Sequence, residues 1–317
     1  VSGPVDLVLG GGGIRGIAHV GAIAAMRDAG WTPYRVAGAS AGAMAGALWV
    51  AGATPEEMRG YLEELDYRGF AFSDVVNRLA RRPMVGAVVE RFSPSITDSL
   101  VWYEGLLAEN GVQTWADLRL PDDDRAAALR PERRYSLVVR CLDVVRRRVV
   151  RLPWDYHLYG LEPDEQPVAE AVRASYSVPL VFDPVKLGEG DDAGLLVDGG
   201  LGTAFPVSVF DRSDSEPARH PTLAVRLVPR SRTSGWPDGD VALVRAVVET
   251  MLEAGDQLEP VGDCDERRTI RVDSSSVLAL DVGMTDEEGD GLYEAGFSAA
   301  QRFLEDFDHE AWVTECR

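Results

Sequence analysis

Apolar residues along this chain arrive in short blocks, and the spacing inside the blocks switches between continuous runs and helical repeats. Val5 to Leu9 is a short apolar run of the kind a buried parallel strand needs. From Arg15 to Ala29 the positions Ile17, Val20, Ile23 and Ala24 fall on one face of a helix, which Gly30 ends. Tyr34 to Ala39 reads as a second strand and Ala41 to Ala51 as a second helix. Thr54-Pro55-Glu56-Glu57 predicts the start of a third helix, with Thr54 as N-cap and Pro55 in its first turn. Farther on, Tyr135 to Val144 and Val149 to Leu152 are expected to pair as strands around the basic turn Arg146-Arg147-Arg148, a solvated hairpin end. Pro167 to Ala174 is expected to be helical. Leu180 to Leu187, Leu195 to Val197, Thr222 to Val228 and Thr269 to Val272 are expected to be strands. Val241 to Ala254 and a terminal segment, Asp286 to Phe307, read as helices. Strands alternating with helices predict an α/β fold built on a mostly parallel central sheet. No internal repeat or low-complexity linker interrupts it, so residues 1–317 are read as one domain.

Residues 66–133 depart from this alternation. They hold no clear strand, an acidic run at Asp122-Asp123-Asp124, and scattered aromatics: Phe70, Phe72, Phe92, Trp102, Tyr103 and Trp115. The segment is read as a helical insertion or lid, with its aromatics either packed or offered to lipid. The acidic run is read as a solvated loop, because the glycine and glutamate of a calcium loop are missing.

Composition narrows the functional classes. A 45% hydrophobic content over 317 residues supports a sizeable core. A net charge of −20 leaves no basic stripe for nucleic acid and argues against purely electrostatic adhesion to anionic membranes. Arginine supplies nearly all the positive charge; Lys186 is the only lysine. Cys141, Cys264 and Cys316 are odd in number and far apart, fit no metal spacing or disulfide framework, and point to a reducing, cytoplasmic compartment. Val1-Ser2-Gly3-Pro4 carries no basic region of a signal peptide. The longest apolar stretch, Val36 to Ala53, approaches membrane-span length, but its Gly, Ala and Ser content reads as a buried strand–turn–helix.

Two motifs carry the chemistry. Gly10-Gly11-Gly12-Gly13-Ile14-Arg15-Gly16 is a loop of bare backbone N–H groups opening onto a helix, a place where negative charge is stabilised. Gly38-Ala39-Ser40-Ala41-Gly42 has the form of a nucleophile elbow, which pushes a serine hydroxyl into the open between a strand and a helix. Gly11-x-Gly13-x-x-Gly16 also fits a dinucleotide fingerprint. That motif needs an acid at the end of the second strand, and Arg35-Val36-Ala37-Gly38-Ala39-Ser40 has none. Arg15 adds a fixed cation suited to an oxyanion or a substrate phosphate. A serine nucleophile needs a base. The four histidines, His19, His157, His220 and His309, sit in no evident triad position; His19 is expected to pack or to hydrogen-bond locally. Asp198 follows the strand Leu195-Leu196-Val197 and precedes Gly199 and Gly200. A desolvated carboxylate there could act directly as base, though Asp-Gly-Gly alone is also an ordinary turn.

Taken together, the glycine loop ending in Arg15-Gly16, the Gly38-x-Ser40-x-Gly42 elbow and Asp198-Gly199-Gly200 resemble the patatin-like phospholipase family. Arg173-Ala174-Ser175-Tyr176-Ser177-Val178-Pro179 resembles its segment before the aspartate. The resemblance is firm from about Val5 to Pro206, and reaches the terminal helix only through Leu292-Tyr293-Glu294-Ala295-Gly296. It implies a three-layer α/β fold and lipid acyl hydrolysis through a Ser40–Asp198 dyad without a catalytic histidine. It also implies an oxyanion hole in the loop Gly11, Gly12 and Gly13, with the N–H groups of Gly12 and Gly13 as donors. No metal or other cofactor is needed on this scheme. The implied partners are phospholipid or another acyl lipid and, transiently, a membrane surface. Members of the family often carry Asn six residues after the aspartate, where this chain has Ala204. A short-chain esterase or thioesterase, and a weakly catalytic regulatory module, are the alternatives.

Overall fold

The blocks read from the sequence become a sheet of eight strands, among the described residues, with helices packed against it. The computed structural model describes residues 2–63, 94–127, 129–179, 181–201, 206–211, 220–228, 238–239, 243, 246–252, 262–280 and 283–316. The chain opens with β1 (Gly3–Leu9), a helical turn (Gly13–Gly16), α1 (Ile17–Asp28), β2 (Trp31–Ala39), α2 (Ala41–Ala51) and α3 (Pro55–Glu63). Then come α4 (Pro94–Glu109), α5 (Asp124–Ala127), β3 (Leu137–Asp143), β4 (Arg148–Leu152), α6 (Val168–Tyr176), β5 (Val185–Leu187) and β6 (Gly194–Asp198). A turn (Val207–Phe210), β7 (Thr222–Val228), α7 (Asp263–Glu266), β8 (Thr269–Asp273), α8 (Asp286–Asp306) and α9 (His309–Cys316) complete it. Two helix starts are capped reciprocally: Thr54 with Glu57 before α3, and Thr285 with Glu288 before α8.

The pairing path runs β5-β6-β3-β2-β1-β7-β8. The β1–β2, β1–β7, β2–β3 and β7–β8 pairs are parallel; β3–β4, β3–β6 and β5–β6 are antiparallel. The register around β3 positions the site. Val139 and Arg140 pair with β2 and β4 at once, so those two strands lie on opposite edges of β3. Cys141, Leu142 and Asp143 pair with β4 and β6 at once, so β6 shares the edge that β2 uses. Strands β2 and β6 therefore meet tip to tip, with Ala39 opposite Arg140 and Asp198 opposite the next residue, Cys141.

Side-chain alternation divides the core. Leu7, Leu9 and Val36 join α1, α2 and α8 in the main cluster. Val8, Ala37, Ala39, Val138 and Ala224 face Trp154 and the Val207–Phe210 turn on the other side. The closest helix contact is α1 on α8. A Cβ on Gly21 would overlap the carbonyl of Tyr293, and one on Gly296 would overlap that of Ala18.

Several expectations are corrected. Cys264 and Cys316, 52 residues apart, form a disulfide, and Cys141 alone is a free, buried thiol. The pair comes together because α9 returns onto α7, where Trp312 donates to the Cys264 carbonyl at 2.7 Å and stacks under Arg268. The argument for a reducing compartment thus loses its premise. Among the described residues no helix is long and apolar enough to cross a membrane. The strand expected over Leu180 to Leu187 shrinks to Val185–Leu187, because Val178, Val181 and Phe182 turn into a side cluster with Val248 and Leu252. The arginine turn is not merely solvated: Arg146 donates to Asp143 and to the carbonyls of Leu158, Asp192 and Ala193. Asp123 caps α5 by accepting from the Ala126 N–H at 2.8 Å. Of the insertion aromatics, Tyr103 and Trp115 are buried and Trp102 packs partly buried on the core. Phe70, Phe72, Phe92 and Ala204 lie outside the described residues.

The α1–α8 crossing has an internal control. Gly291 lies in the same helix as Gly296, but a Cβ there meets nothing within 4 Å. Gly296→Ala is expected to cost about 1–3 kcal/mol by overpacking. Gly291→Ala is expected to stabilise by up to about 1 kcal/mol through helix propensity. Thermal denaturation of the two variants checks both signs.

Candidate active site

Because Asp198 occupies the next place on the edge of β3, β2 cannot continue past Ala39, and the chain must leave the sheet at Ser40. Ser40 does so at φ 52° and ψ −124°, a left-handed conformation rare for a residue with a side chain. Strain of about 1–3 kcal/mol of this kind persists only where the surroundings enforce it. The elbow glycines let the turn close: a Cβ on Gly38 would overlap the backbone of Gly42, and one on Gly42 would overlap the carbonyls of Leu9 and Gly10.

Ser40 Oγ donates to Asp198 Oδ2 at 2.8 Å. The other carboxylate oxygen accepts the Gly200 N–H at 2.6 Å. Asp198 is fully buried, and loss of water raises its pKa to about 7, against the pull of Ser40, Gly200 and the charge of Arg140.

The gap between the two strand tips is filled by a side chain that sequence reasoning left without a role. Ser175, fully buried at the end of α6, accepts the Ser40 N–H at 2.9 Å and donates to the Arg140 carbonyl at 2.6 Å. Its hydroxyl replaces the missing rung between β2 and β3. The same segment holds the base, since the carbonyls of Ser175 and Ser177 accept the N–H groups of Gly199 and Asp198. The one sequence signal was that Ser175 lies in the motif-like run before the aspartate.

The glycine loop lies against the serine. A Cβ on Gly11 would be 3.8 Å from Ser40 Cβ and 3.6 Å from Gly200 Cα. Gly16 packs on Ala41 at the start of α2. Arg15 is buried, and its Nε donates to the Gly12 carbonyl of the loop itself at 3.0 Å. The histidines are engaged elsewhere. His19 reaches the Gly10 carbonyl at 2.9 Å, His220 lies 3.1 Å from Asp6 Oδ1, His157 reaches the Trp154 carbonyl and His309 stacks on Trp312.

Ser40 opens into a cavity of about 130 Å³ with almost wholly apolar walls, including Ile14, Met44, Leu48, Met58, Trp102 and Phe182. Ala279 and Leu280, from the loop after β8, complete the rim. A strained serine, a buried carboxylate, a glycine loop and an apolar cavity form a set suited to acyl transfer from a hydrophobic ester.

The chain is 31% identical to the uncharacterised protein YqhO of Bacillus subtilis over 313 residues, 96% of this chain and 99% of that one. A segment of 45 residues, 14% of the chain, is 53% identical to neuropathy target esterase sws of Drosophila melanogaster and spans 3% of that protein. Among solved structures, VipD of Legionella pneumophila aligns with a TM-score of 0.49 at 17% identity, over 95% of this chain and 66% of that one. ExoU of Pseudomonas aeruginosa, solved in complex with SpcU, aligns with a TM-score of 0.49 at 22% identity, over 95% of this chain and about half, 51%, of that one. The patatin-like phospholipase profile matches residues 7–211, which take in the glycine loop, the elbow and the aspartate, and the chain belongs to that family.

Proposed function

We propose that the chain is a lipid acyl hydrolase of the phospholipase A or lysophospholipase type, acting through Ser40 as nucleophile and Asp198 as base. The observation that carries this reading is the 2.8 Å hydrogen bond from Ser40 Oγ to a fully buried carboxylate at the wall of an apolar cavity. Ser40 Oγ attacks the acyl carbonyl carbon as its proton passes to Asp198. The carbonyl oxygen becomes an oxyanion facing the loop Gly11, Gly12 and Gly13. The intermediate collapses, the alcohol leaves with the proton from Asp198, and the acyl group stays on Ser40. Water, deprotonated by Asp198, then attacks the acyl-enzyme; the intermediate expels Ser40 Oγ, which takes the proton back from Asp198 as the fatty acid leaves.

Residues 1–317 are proposed to act as one unit. This is supported by β7 pairing with β1 and by the Ile14 N–H donating to the Ala279 carbonyl, which tie the chain beyond residue 211 to the glycine loop. Transient contact with a lipid surface belongs to the same reading. Leu243, Val247 and Met251 are exposed on the segment whose Val248 and Leu252 pack with Val178, Val181, Phe182 and Leu280 at the cavity.

Four outcomes are expected. Fatty-acid release collapses by several orders of magnitude in Ser40→Ala and in Asp198→Asn, and fluorophosphonate labels wild type at Ser40 alone. A histidine variant at position 157, 220 or 309 as inactive as Ser40→Ala would replace the dyad with a triad.

The base must be a carboxylate, so kcat/KM is expected to rise along a one-proton limb near pH 7 and to be lost below it. The sign for stability is the reverse. A raised native pKa favours the protonated fold, so Asp198 stabilises below its unfolded pKa of about 4 and loses that contribution as pH rises through about 7. Asp198→Asn should therefore be inactive yet unfold at a higher temperature, relative to wild type, at pH 8 than at pH 4.

An apolar cavity should add about 0.8 kcal/mol, or roughly fourfold in kcat/KM, per methylene of acyl chain until it is full. A series of p-nitrophenyl esters from acetate to palmitate reads this directly, and a flat series would favour a short-chain esterase.

Changing Leu243 and Val247 to serine should reduce hydrolysis of zwitterionic vesicles far more than hydrolysis of a soluble butyrate ester. Equal loss on both would remove the lipid-surface contact.

A further inference from the structure

Two peptide groups of the glycine loop are held by their oxygens, and both holders come from the same side. Arg15 and His19 are four residues apart across the Gly13–Gly16 turn and the first turn of α1, so they lie one above the other on one helical face. Helical side chains lean toward the N-terminus of their helix, which here directs both back under the loop. His19 is fully buried, with Nε2 2.9 Å from the Gly10 carbonyl oxygen. Arg15, 2% exposed, donates from Nε to the Gly12 carbonyl oxygen at 3.0 Å. The ends of the loop are fixed as well. The Gly10 N–H donates to the Val225 carbonyl and the Ile14 N–H to the Ala279 carbonyl, each at 3.1 Å.

In a trans peptide the carbonyl and the following N–H point in opposite directions. Holding Gly10 O therefore sets the direction of the Gly11 N–H, and holding Gly12 O sets that of the Gly13 N–H. Among the described residues, neither N–H donates a backbone hydrogen bond. Gly11 lies against Ser40, and Gly13 lines the cavity with it. Gly13 adopts φ 59°, and a Cβ there would overlap the Ala279 carbonyl, so its peptide can take this orientation only as glycine.

His19 has the chemistry this task needs. Burial, with the nearby charge of Arg15 adding to it, lowers its pKa to about 4, so the ring is neutral at working pH. A neutral imidazole facing a carbonyl must carry its proton on the facing nitrogen. That leaves Nδ1 as a bare acceptor, and Nδ1 is buried without a hydrogen-bond partner among the described residues. The ring is thus committed to one donor, spent on Gly10.

We propose that His19 and Arg15 are positioning residues that aim the oxyanion hole, and that its donors are the N–H groups of Gly11 and Gly13. The inference rests on Ser40 being the nucleophile. It moves the donor pair from the Gly12 and Gly13 expected from the sequence. It also changes the part played by Arg15 from direct charge stabilisation to orientation of a peptide.

The test compares His19→Leu, which removes the donor, with His19→Gln, which keeps an N–H at similar reach. Two ligands separate aim from packing. A long-chain trifluoromethyl ketone forms an oxyanion on the serine and needs the hole, whereas a fatty alcohol of equal length fills only the cavity. His19→Leu is expected to lower kcat by about tenfold to a hundredfold, less than or near the loss from deleting an oxyanion donor outright. KM and alcohol affinity should stay within about twofold of wild type, ketone affinity should fall in parallel with kcat, and His19→Gln should recover most of the loss. Wild-type kcat in His19→Leu overturns the proposal. So does equal loss of ketone and alcohol binding, or a Gln variant no better than Leu. If His19→Leu does not fold, Arg15→Met carries the same comparison through the Gly12 peptide, with the same outcomes deciding. Mass-spectrometric mapping of the fluorophosphonate adduct keeps the two readings apart. No label on Ser40 in wild type defeats the nucleophile assignment, whereas Ser40 labelled at the wild-type rate in His19→Leu defeats only the positioning role.

Discussion

Two strands competing for one edge of β3 set the geometry of everything around the site. Strand β2 runs up that edge to Ala39, β6 comes the other way to Asp198, and no residue of β3 separates Arg140 from Cys141, their respective partners. The collision turns β2 out of the sheet at Ser40, forces its positive φ, and delivers its hydroxyl to the carboxylate that blocks its path. Backbone strain at Ser40 and its contact with Asp198 thus have a common cause. Ser175 closes the break in the ladder, accepting the Ser40 N–H and donating to the Arg140 carbonyl where the strands part.

Burying Asp198 at this junction has two opposed effects. Desolvation raises the carboxylate's pKa to about 7, which on the proposed mechanism makes it basic enough to take a proton from serine near neutrality. The same desolvation makes the charged form costly to the fold. Its hydrogen bonds from Ser40 and Gly200 and the charge of Arg140 offset that cost only in part. The large apolar cluster formed by α1, α2 and α8 on the sheet supplies burial that outweighs such a local cost. An apolar residue at position 198 would relieve the cost and remove the base.

Local signals made much of this legible in the sequence. The elbow, the glycine loop and Asp-Gly-Gly are each contiguous, and the strands β1, β3, β7 and β8 are short apolar runs whose bounds the structure leaves unchanged in β7 and moves by at most two residues in the others. What was not legible depends on distant partners. Cys264 and Cys316 pair only because α9, which the sequence did not suggest, folds back onto α7. Apolar residues at Val178, Val181 and Phe182 resemble the start of a strand, but their periodicity cannot say whether they face a sheet or a cavity. Ser175 and His19 act on backbone atoms of other segments, and nothing in the identity of a serine or a histidine names the carbonyl or N–H it will meet. The charge of Arg15 suggests a ligand, and nothing in its identity says that its Nε donates to the Gly12 carbonyl.

The loop Gly10–Gly13 is anchored by residues that emerge late in synthesis. Its first N–H binds Val225, and the N–H of Ile14, just past its end, binds Ala279. The proposed nucleophile and base lie within the first two hundred residues, but these anchors do not. A nascent chain halted before β7 would carry both dyad residues and a glycine loop with neither end tied. On the proposed mechanism, attack on lipid would then wait until β7 and the loop after β8 had been made, and a product cut short before them would be poorly armed against the membranes of the cell that makes it.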